Sequence, residues 1–94
     1  MKVIVKEVGK NPEVREIENE LSVFQGLVGG YIEVVTLGKV VLICNEEGKL
    51  NGSPVNFKMG YDTINGTAVF VSSDGENFAG LDDWQIEDIM SKFY

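Results

Sequence analysis

The side chains best suited to acid–base chemistry are two adjacent pairs of carboxylates, Glu46-Glu47 and Asp82-Asp83. The chain has no histidine, so the usual general base and every Ser-His or Cys-His arrangement are missing. Sequence neighbours seldom point the same way, and both pairs fall at turns or helix starts. Solvation and helix capping therefore explain them better than catalysis does. We predict no catalytic residue.

The single cysteine, Cys44, argues against a metal site and against a disulfide framework. Without histidine, a zinc site would need carboxylates almost alone. Residues 74–79 do not have the glycine position and the alternating oxygen ligands of a calcium-binding loop. Gly29-Gly30 ends a predicted helix, whereas phosphates bind at helix N-termini. We therefore expect no metal ion and no cofactor, and we expect Cys44 to be a small buried side chain.

The charge balance restricts the partners. Fifteen acidic side chains against eight basic ones give a net charge of −7. Nucleic-acid phosphates and anionic membranes attract clustered lysine and arginine, so neither direct nucleic-acid binding nor membrane binding is expected. An acidic surface of this kind could attract a basic partner, although a solubilising role is the simpler explanation.

Length and composition predict one domain over residues 1–94, since 94 residues with 44% hydrophobic side chains can bury one core. Its core will be modest, which makes a homodimer a reasonable expectation. No apolar run approaches a membrane span, and the apolar run at the N-terminus is too short for a signal peptide. Together with the lone cysteine, these features predict a cytoplasmic protein.

The pattern of apolar residues predicts an α+β fold. Strands rich in β-branched residues are expected at 2–8, 13–18, 31–37, 40–44 and 67–72. One helix should begin after Asn19 as N-cap and end at Gly29-Gly30. A C-terminal helix should begin at Asp82, with Gln85 completing a capping box. We expect about five strands in a mostly antiparallel sheet, with one helix after strand two and the C-terminal helix packed on one face.

The segment from 45 to 65 loses this periodicity, and long connections in compact domains are often functional. Aromatic rings and amides here could stack on and hydrogen-bond a small planar ligand or a peptide. Turn formation and aromatic packing are the simpler explanation for most of them. The candidate ligand or partner surface consists of Tyr31, Glu33, Asn45, Glu46, Glu47, Asn56, Phe57 and Tyr61.

Two blocks, Gly-Gly-Tyr-Ile-Glu-Val from residue 29 and Asn-Glu-Glu-Gly-Lys-Leu from residue 45, are distinctive together. With residues 14–18, 64–68 and 74–78 they resemble a family of small proteins, the domain of unknown function 3846. Members of that family occur in phages, plasmids and other mobile elements. The resemblance implies an accessory protein of such an element, and it brings no established activity.

Three functions remain open. We expect a non-enzymatic accessory binding protein that acts on a host protein or a small ligand. The second is an enzyme that uses carboxylates of the 45–65 segment and depends on a divalent ion. The third is an acidic mimic of DNA, for which fifteen acids offset by eight bases are few.

Overall fold

The structure is a computed structural model that describes residues 1–93. Its strands and helices are, in chain order, β1 (Lys2–Lys6), β2 (Glu13–Glu16), α1 (Leu21–Val28), β3 (Ile32–Leu37), β4 (Val40–Asn45), β5 (Val55–Met59), β6 (Asp62–Asn65), β7 (Ala68–Ser73), β8 (Phe78–Ala79) and α2 (Asp83–Ser91). The five predicted strands correspond to β1, β2, β3, β4 and β7. The predicted α+β class with a mostly antiparallel sheet is confirmed.

The main sheet has the strand order β2-β1-β7-β4-β3, and the short β8 pairs with β7 beside the end of β1. Neighbouring strands in it are antiparallel. The two apolar runs, 40–44 and 68–71, form the inner strands β4 and β7, because strands covered on both faces need apolar side chains at every position. The more polar β2 and β3 lie at the two edges.

Each face of the sheet has its own cluster of buried side chains. Successive residues of a strand point to opposite faces, so Val41 and Ile43 lie on one face and Leu42 on the other. The first face is covered by α1, through Phe24. The second is covered by α2, through Ile89, and by β6. The two helices thus lie on opposite faces, which corrects the expectation of one shared face. Both faces of the inner strands are apolar, so each face must be shielded from water by another element.

Helix ends follow the expected chemistry with one exception. Gly29 ends α1 in the left-handed conformation, with φ 80°. The capping box of α2 forms as predicted, since Gln85 N donates to Asp82 Oδ1 at 2.7 Å and Asp82 N donates to Gln85 Oε1 at 3.0 Å. Asn19, however, is not the N-cap of α1. Glu20 takes that position without a side-chain hydrogen bond, and Asn19 Nδ2 donates instead to the carbonyl of Phe78 at 3.0 Å.

The segment predicted to be irregular contains a second, two-stranded sheet. Strands β5 and β6 form an antiparallel hairpin, turning at Gly60-Tyr61 with Gly60 at φ 63°. The hairpin lies on the α2 face of the main sheet. Phe57 packs there against Phe70 and Phe93, with ring centroids 6.0 and 5.2 Å away. Hairpin and α2 share the covering of this face and leave a cleft on either side of the hairpin.

Candidate functional site

One of these clefts, here named the polar cleft, lies between β6 and the end of β4 and encloses about 360 Å³. Its walls are Glu33 and Val35 of β3, residues 44–46 and 48–50, and residues 59 and 62–65 of the hairpin. This volume is at the lower end of the range for small-molecule sites.

The polar cleft brings together three of the eight candidate residues, Glu33, Asn45 and Glu46. The register of the sheet explains this, because Glu33 pairs directly with Cys44 at the end of β4. Tyr31 is close by, since its carbonyl accepts a hydrogen bond from Glu46 N at 2.9 Å, and the residue is 71% exposed.

The other candidates lie elsewhere. Glu47 is in the exposed turn after β4, and Tyr61 is at the exposed tip of the hairpin. Asn56 joins the hairpin to β1, and Phe57 packs in the aromatic cluster. The role of all eight residues in binding a ligand or partner stays a prediction.

The amides of the polar cleft are occupied by the protein itself. Asn45 Nδ2 donates to the carbonyl of Val28 at 3.1 Å, and Asn45 Oδ1 accepts from Glu47 N at 2.7 Å. Asn65 Nδ2 donates to the carbonyl of Ser53 at 3.0 Å, and its Oδ1 accepts from Thr63 Oγ1 at 2.9 Å. These side chains hold the turn and the hairpin in place, so ligand recognition falls to the charged groups.

The charged groups leave an excess of negative charge in the polar cleft. Lys49 Nζ donates to Asp62 Oδ1, and this hydrogen bond, followed by the one from Thr63 N, lowers the pKa of Asp62. Glu33 Oε2 accepts from Cys44 Sγ at 3.6 Å. Neither Glu33 Oε1 nor the Glu46 carboxylate has a hydrogen-bond partner within residues 1–93. Three carboxylates against one ammonium give a net charge of −2.

Sequence reasoning missed Lys49 and Asp62. They are 13 positions apart in the sequence and meet because the β5–β6 hairpin folds back beside the turn after β4. The available signal was weak: an alternation of apolar residues at Val55, Phe57 and Met59, followed by Gly60 at a turn position.

Cys44 is a buried side chain, as predicted, with 4% of its surface exposed. Burial, and then the charge of Glu33, raises the pKa of the Cys44 thiol to about 11. The thiol is therefore protonated at neutral pH, and it lacks the thiolate that a nucleophile needs.

This pKa predicts a pH-dependent stability. An unfolded thiol has a pKa of about 8.5. Between about 8.5 and about 11 the unfolded chain loses this proton while the folded chain keeps it, so the free energy of unfolding falls as the pH rises. We expect this thiol to lower the free energy of unfolding by an amount on the order of 2 kcal/mol at the upper end of this pH window. Below the window the thiol should not change the free energy of unfolding.

The measurement is urea unfolding at about pH 7 and about pH 10.5 for the wild type and for Cys44→Ala. The two proteins differ only in the Cys44 side chain, so the difference between their pH profiles isolates the thiol. The wild type should lose more stability than Cys44→Ala over this interval. Parallel pH profiles would contradict the assigned pKa.

The second cleft, here named the apolar cleft, lies between the hairpin and α2 and also encloses about 360 Å³. Its floor is formed by apolar side chains, namely Leu37, Val40, Phe57, Met59, Phe70, Ile89 and Phe93. Its charged members are Lys58, Asp88 and Lys92, of which Lys92 Nζ lies 3.3 Å from Asp88 Oδ1. It offers packing surface and few polar groups for recognition.

Within residues 1–93, cysteine and acidic side chains do not gather in groups of three or more that could hold a metal ion. Over the same residues, no helix has both the length and the apolar character needed to cross a membrane.

The fold and the two clefts define a small α+β domain with open cavities on one face of an antiparallel sheet. The sequence matches the family described as Domain of unknown function (DUF3846) over residues 1–94, and the chain belongs to this family. The resemblance noted from the sequence blocks is thus confirmed. No curated protein and no solved structure shows significant similarity to the chain.

Proposed function

We propose that this protein is a non-enzymatic binding protein, and that its polar cleft takes a small ligand carrying a positively charged nitrogen group. One observation carries this proposal. Glu33 and Glu46 line an open cleft, and neither Glu33 Oε1 nor the Glu46 carboxylate has a hydrogen-bond partner among residues 1–93, while the amides and Lys49 beside them are bonded internally.

The chemistry of the free groups favours a cation that donates hydrogen bonds. Carboxylates are acceptors only, and ammonium or guanidinium groups form the strongest hydrogen bonds to them. The apolar walls of the polar cleft, among them Val35, Leu50 and Met59, suit a short hydrocarbon segment next to that charged group. A ligand with a cationic end and an aliphatic body fits both features.

The same geometry gives less support to the alternatives. A divalent-ion-dependent reaction needs several oxygen ligands around one point, and residues 1–93 contain no such group of three. A mimic of DNA needs many free carboxylates, whereas Glu13, Asp62 and Asp88 are paired with basic side chains. We also propose that the protein acts in the cytoplasm as an accessory protein of a phage or other mobile element, a setting suggested by the family resemblance.

Isothermal titration calorimetry with agmatine tests the proposal, because agmatine has an ammonium group, a guanidinium group and a hydrocarbon chain. The titration uses about 150 mM NaCl, where the Debye length is about 8 Å and general attraction to an acidic surface is reduced. Glu33→Gln and Glu46→Gln should each weaken binding about tenfold or more, since each removes a charge-assisted hydrogen bond.

Glu87→Gln is the matched control, because Glu87 is exposed on α2 and lies outside the polar cleft. This variant removes the same charge from the chain and should change the affinity less than about twofold. Equal losses in all three variants would show that agmatine binds the acidic surface in general. The absence of binding to the wild type would contradict the proposed ligand class.

A further inference from the structure

The outer edge of β3 has no partner strand within residues 1–93, and the directions of its backbone N–H and C=O groups can be assigned. Glu46 N donates to the carbonyl of Tyr31 at 2.9 Å, which makes this a hydrogen-bonded pair of the β3–β4 ladder. Such pairs alternate along an antiparallel ladder. Residues 33, 35 and 37 therefore turn their backbone groups towards β4, and the N–H and C=O groups of Ile32, Val34 and Thr36 face outward.

The two edges of the main sheet differ in their protection against pairing. Edge strands usually avoid association by being short or by carrying charges. The β2 edge is four residues long, and three of them are charged. The β3 edge is six residues long with one charge, Glu33, and it exposes 45% of Val34 and 41% of Leu37. The β3 edge is thus suited to take another strand.

We propose that β3 pairs with β3 of a second copy of this chain, antiparallel and about a two-fold axis through Val34. A two-fold axis perpendicular to the sheet keeps each side chain on its own face. In this register Val34 faces Val34 of the partner subunit, and Ile32 faces Thr36 of the partner subunit. All three outward residues then exchange their backbone hydrogen bonds, about six in total.

The side chains of β3 are compatible with this register. Glu33 comes to lie opposite Val35 of the partner subunit, so no like charges face each other directly. Each chain carries −7, and the general repulsion between the copies should weaken as salt is added. The dimer should therefore form more readily at higher ionic strength.

The pairing has a consequence for the polar cleft, and this step rests on the proposed function. Glu33 lies on the same face as Cys44 and forms part of the polar cleft. Across the two-fold axis, Glu33 of the partner subunit would be a diagonal neighbour at about 7–8 Å. The two polar clefts become adjacent, and a cation such as agmatine that binds between the two carboxylates should strengthen the dimer.

Charge-swap variants at Val34 test the pairing without any ligand. Val34→Lys and Val34→Glu each place like charges opposite each other on the axis, and each should be monomeric in sedimentation equilibrium under conditions where the wild type is a dimer. Mixed together, the two variants should form a heterodimer. Val34 is nearly half exposed in the monomer, so both substitutions are compatible with folding, which circular dichroism verifies.

Two proline substitutions, one on each edge strand of the main sheet, supply a test and its matched control. Met1 N and Ile17 N exchange hydrogen bonds with the opposite carbonyls at 2.7 and 2.9 Å, so Val14 N–H faces outward on β2 as Val34 N–H does on β3. Val34→Pro should weaken dimerisation at least about tenfold, and Val14→Pro should leave it unchanged.

A wild type that stays monomeric at high concentration and high salt would overturn the pairing. So would dimers that form equally well in the wild type and in both charge variants, because the interface would then lie elsewhere. Since these measurements contain no agmatine, their failure would leave the ligand proposal standing, and failure of agmatine to bind would leave the pairing standing.

Discussion

Asn56→Ala is expected to lower the free energy of unfolding by about 3 kcal/mol. Asn56 Nδ2 donates to the carbonyls of Lys6 and Gly66 at 2.7 and 2.8 Å, and its Oδ1 accepts from Lys6 Nζ at 3.0 Å. Lys6 is only 9% exposed, and its remaining acceptor is the carbonyl of Glu7 at 2.8 Å. Alanine would leave a largely buried ammonium and two carbonyls short of partners, at about 1–3 kcal/mol each before relaxation.

Asn51→Ala is the control for this substitution. Asn51 Oδ1 accepts from Ser53 N at 3.0 Å and from Ser53 Oγ at 2.6 Å, in an exposed turn where water can replace it. Its loss should cost less than about 1 kcal/mol. Urea unfolding of both variants provides the comparison. Similar small losses would mean that Asn56 does not hold the hairpin to β1, and would return it to the candidate ligand contacts.

Gly48→Ala is expected to be the second most damaging substitution, with a loss of about 2 kcal/mol. A Cβ at this position would lie 2.7 Å from the carbonyl oxygen of Asn65 and 3.4 Å from that of Asn45. Both are backbone atoms, so the turn or the hairpin must move to relieve the contact. The movement would change the polar cleft, and agmatine binding should weaken along with stability.

Gly26→Ala is the matched control, because it makes the same chemical change at a position where the added Cβ has open space. Gly26 lies inside α1, and a Cβ there meets nothing within 4 Å. Alanine should raise the free energy of unfolding by about 0.5–1 kcal/mol, since glycine is unfavourable inside a helix. Thermal unfolding should therefore shift in opposite directions for the two variants. A neutral or stabilising Gly48→Ala would contradict the close packing of the turn against β6.

Local chemistry explains which elements could be predicted. The apolar run from 40 to 44 suits a strand buried on both faces and little else. Gly29 and the Asp82–Gln85 capping box mark helix ends through contacts that lie within one helical turn. These features depend on residues near one another in the chain, so periodicity and turn chemistry are enough to identify them.

The β5–β6 hairpin was not predicted from the sequence, because its stability comes from tertiary packing. Its turn, Gly60-Tyr61, has the same glycine-first chemistry as the Gly38-Lys39 turn between β3 and β4. Its second strand, β6, however, carries a single apolar residue, Ile64. What holds the two strands is the docking of Phe57 and Ile64 against the main sheet, which no short stretch of sequence reveals.

The residues of the candidate site also fall into two groups, those positioned by a local hairpin and those positioned by tertiary packing. Glu33, Asn45 and Glu46 meet because the β3–β4 hairpin sets their register, and that hairpin follows from a recognisable turn. Lys49 and Asp62 meet through the docking of the second hairpin. Asn56 was predicted as a ligand contact from its residue type, and its hydrogen bond to the carbonyl of Lys6 joins positions too far apart in the sequence to be predicted.

Ligand binding in the polar cleft is tested most directly by an amide proton–nitrogen NMR titration of the wild type with agmatine. We expect the largest shifts at residues 33, 44–49 and 62–65 around the polar cleft, with the apolar cleft and α2 little affected. Small shifts spread over the acidic residues of the whole surface, or shifts centred on the apolar cleft, would contradict binding in the polar cleft.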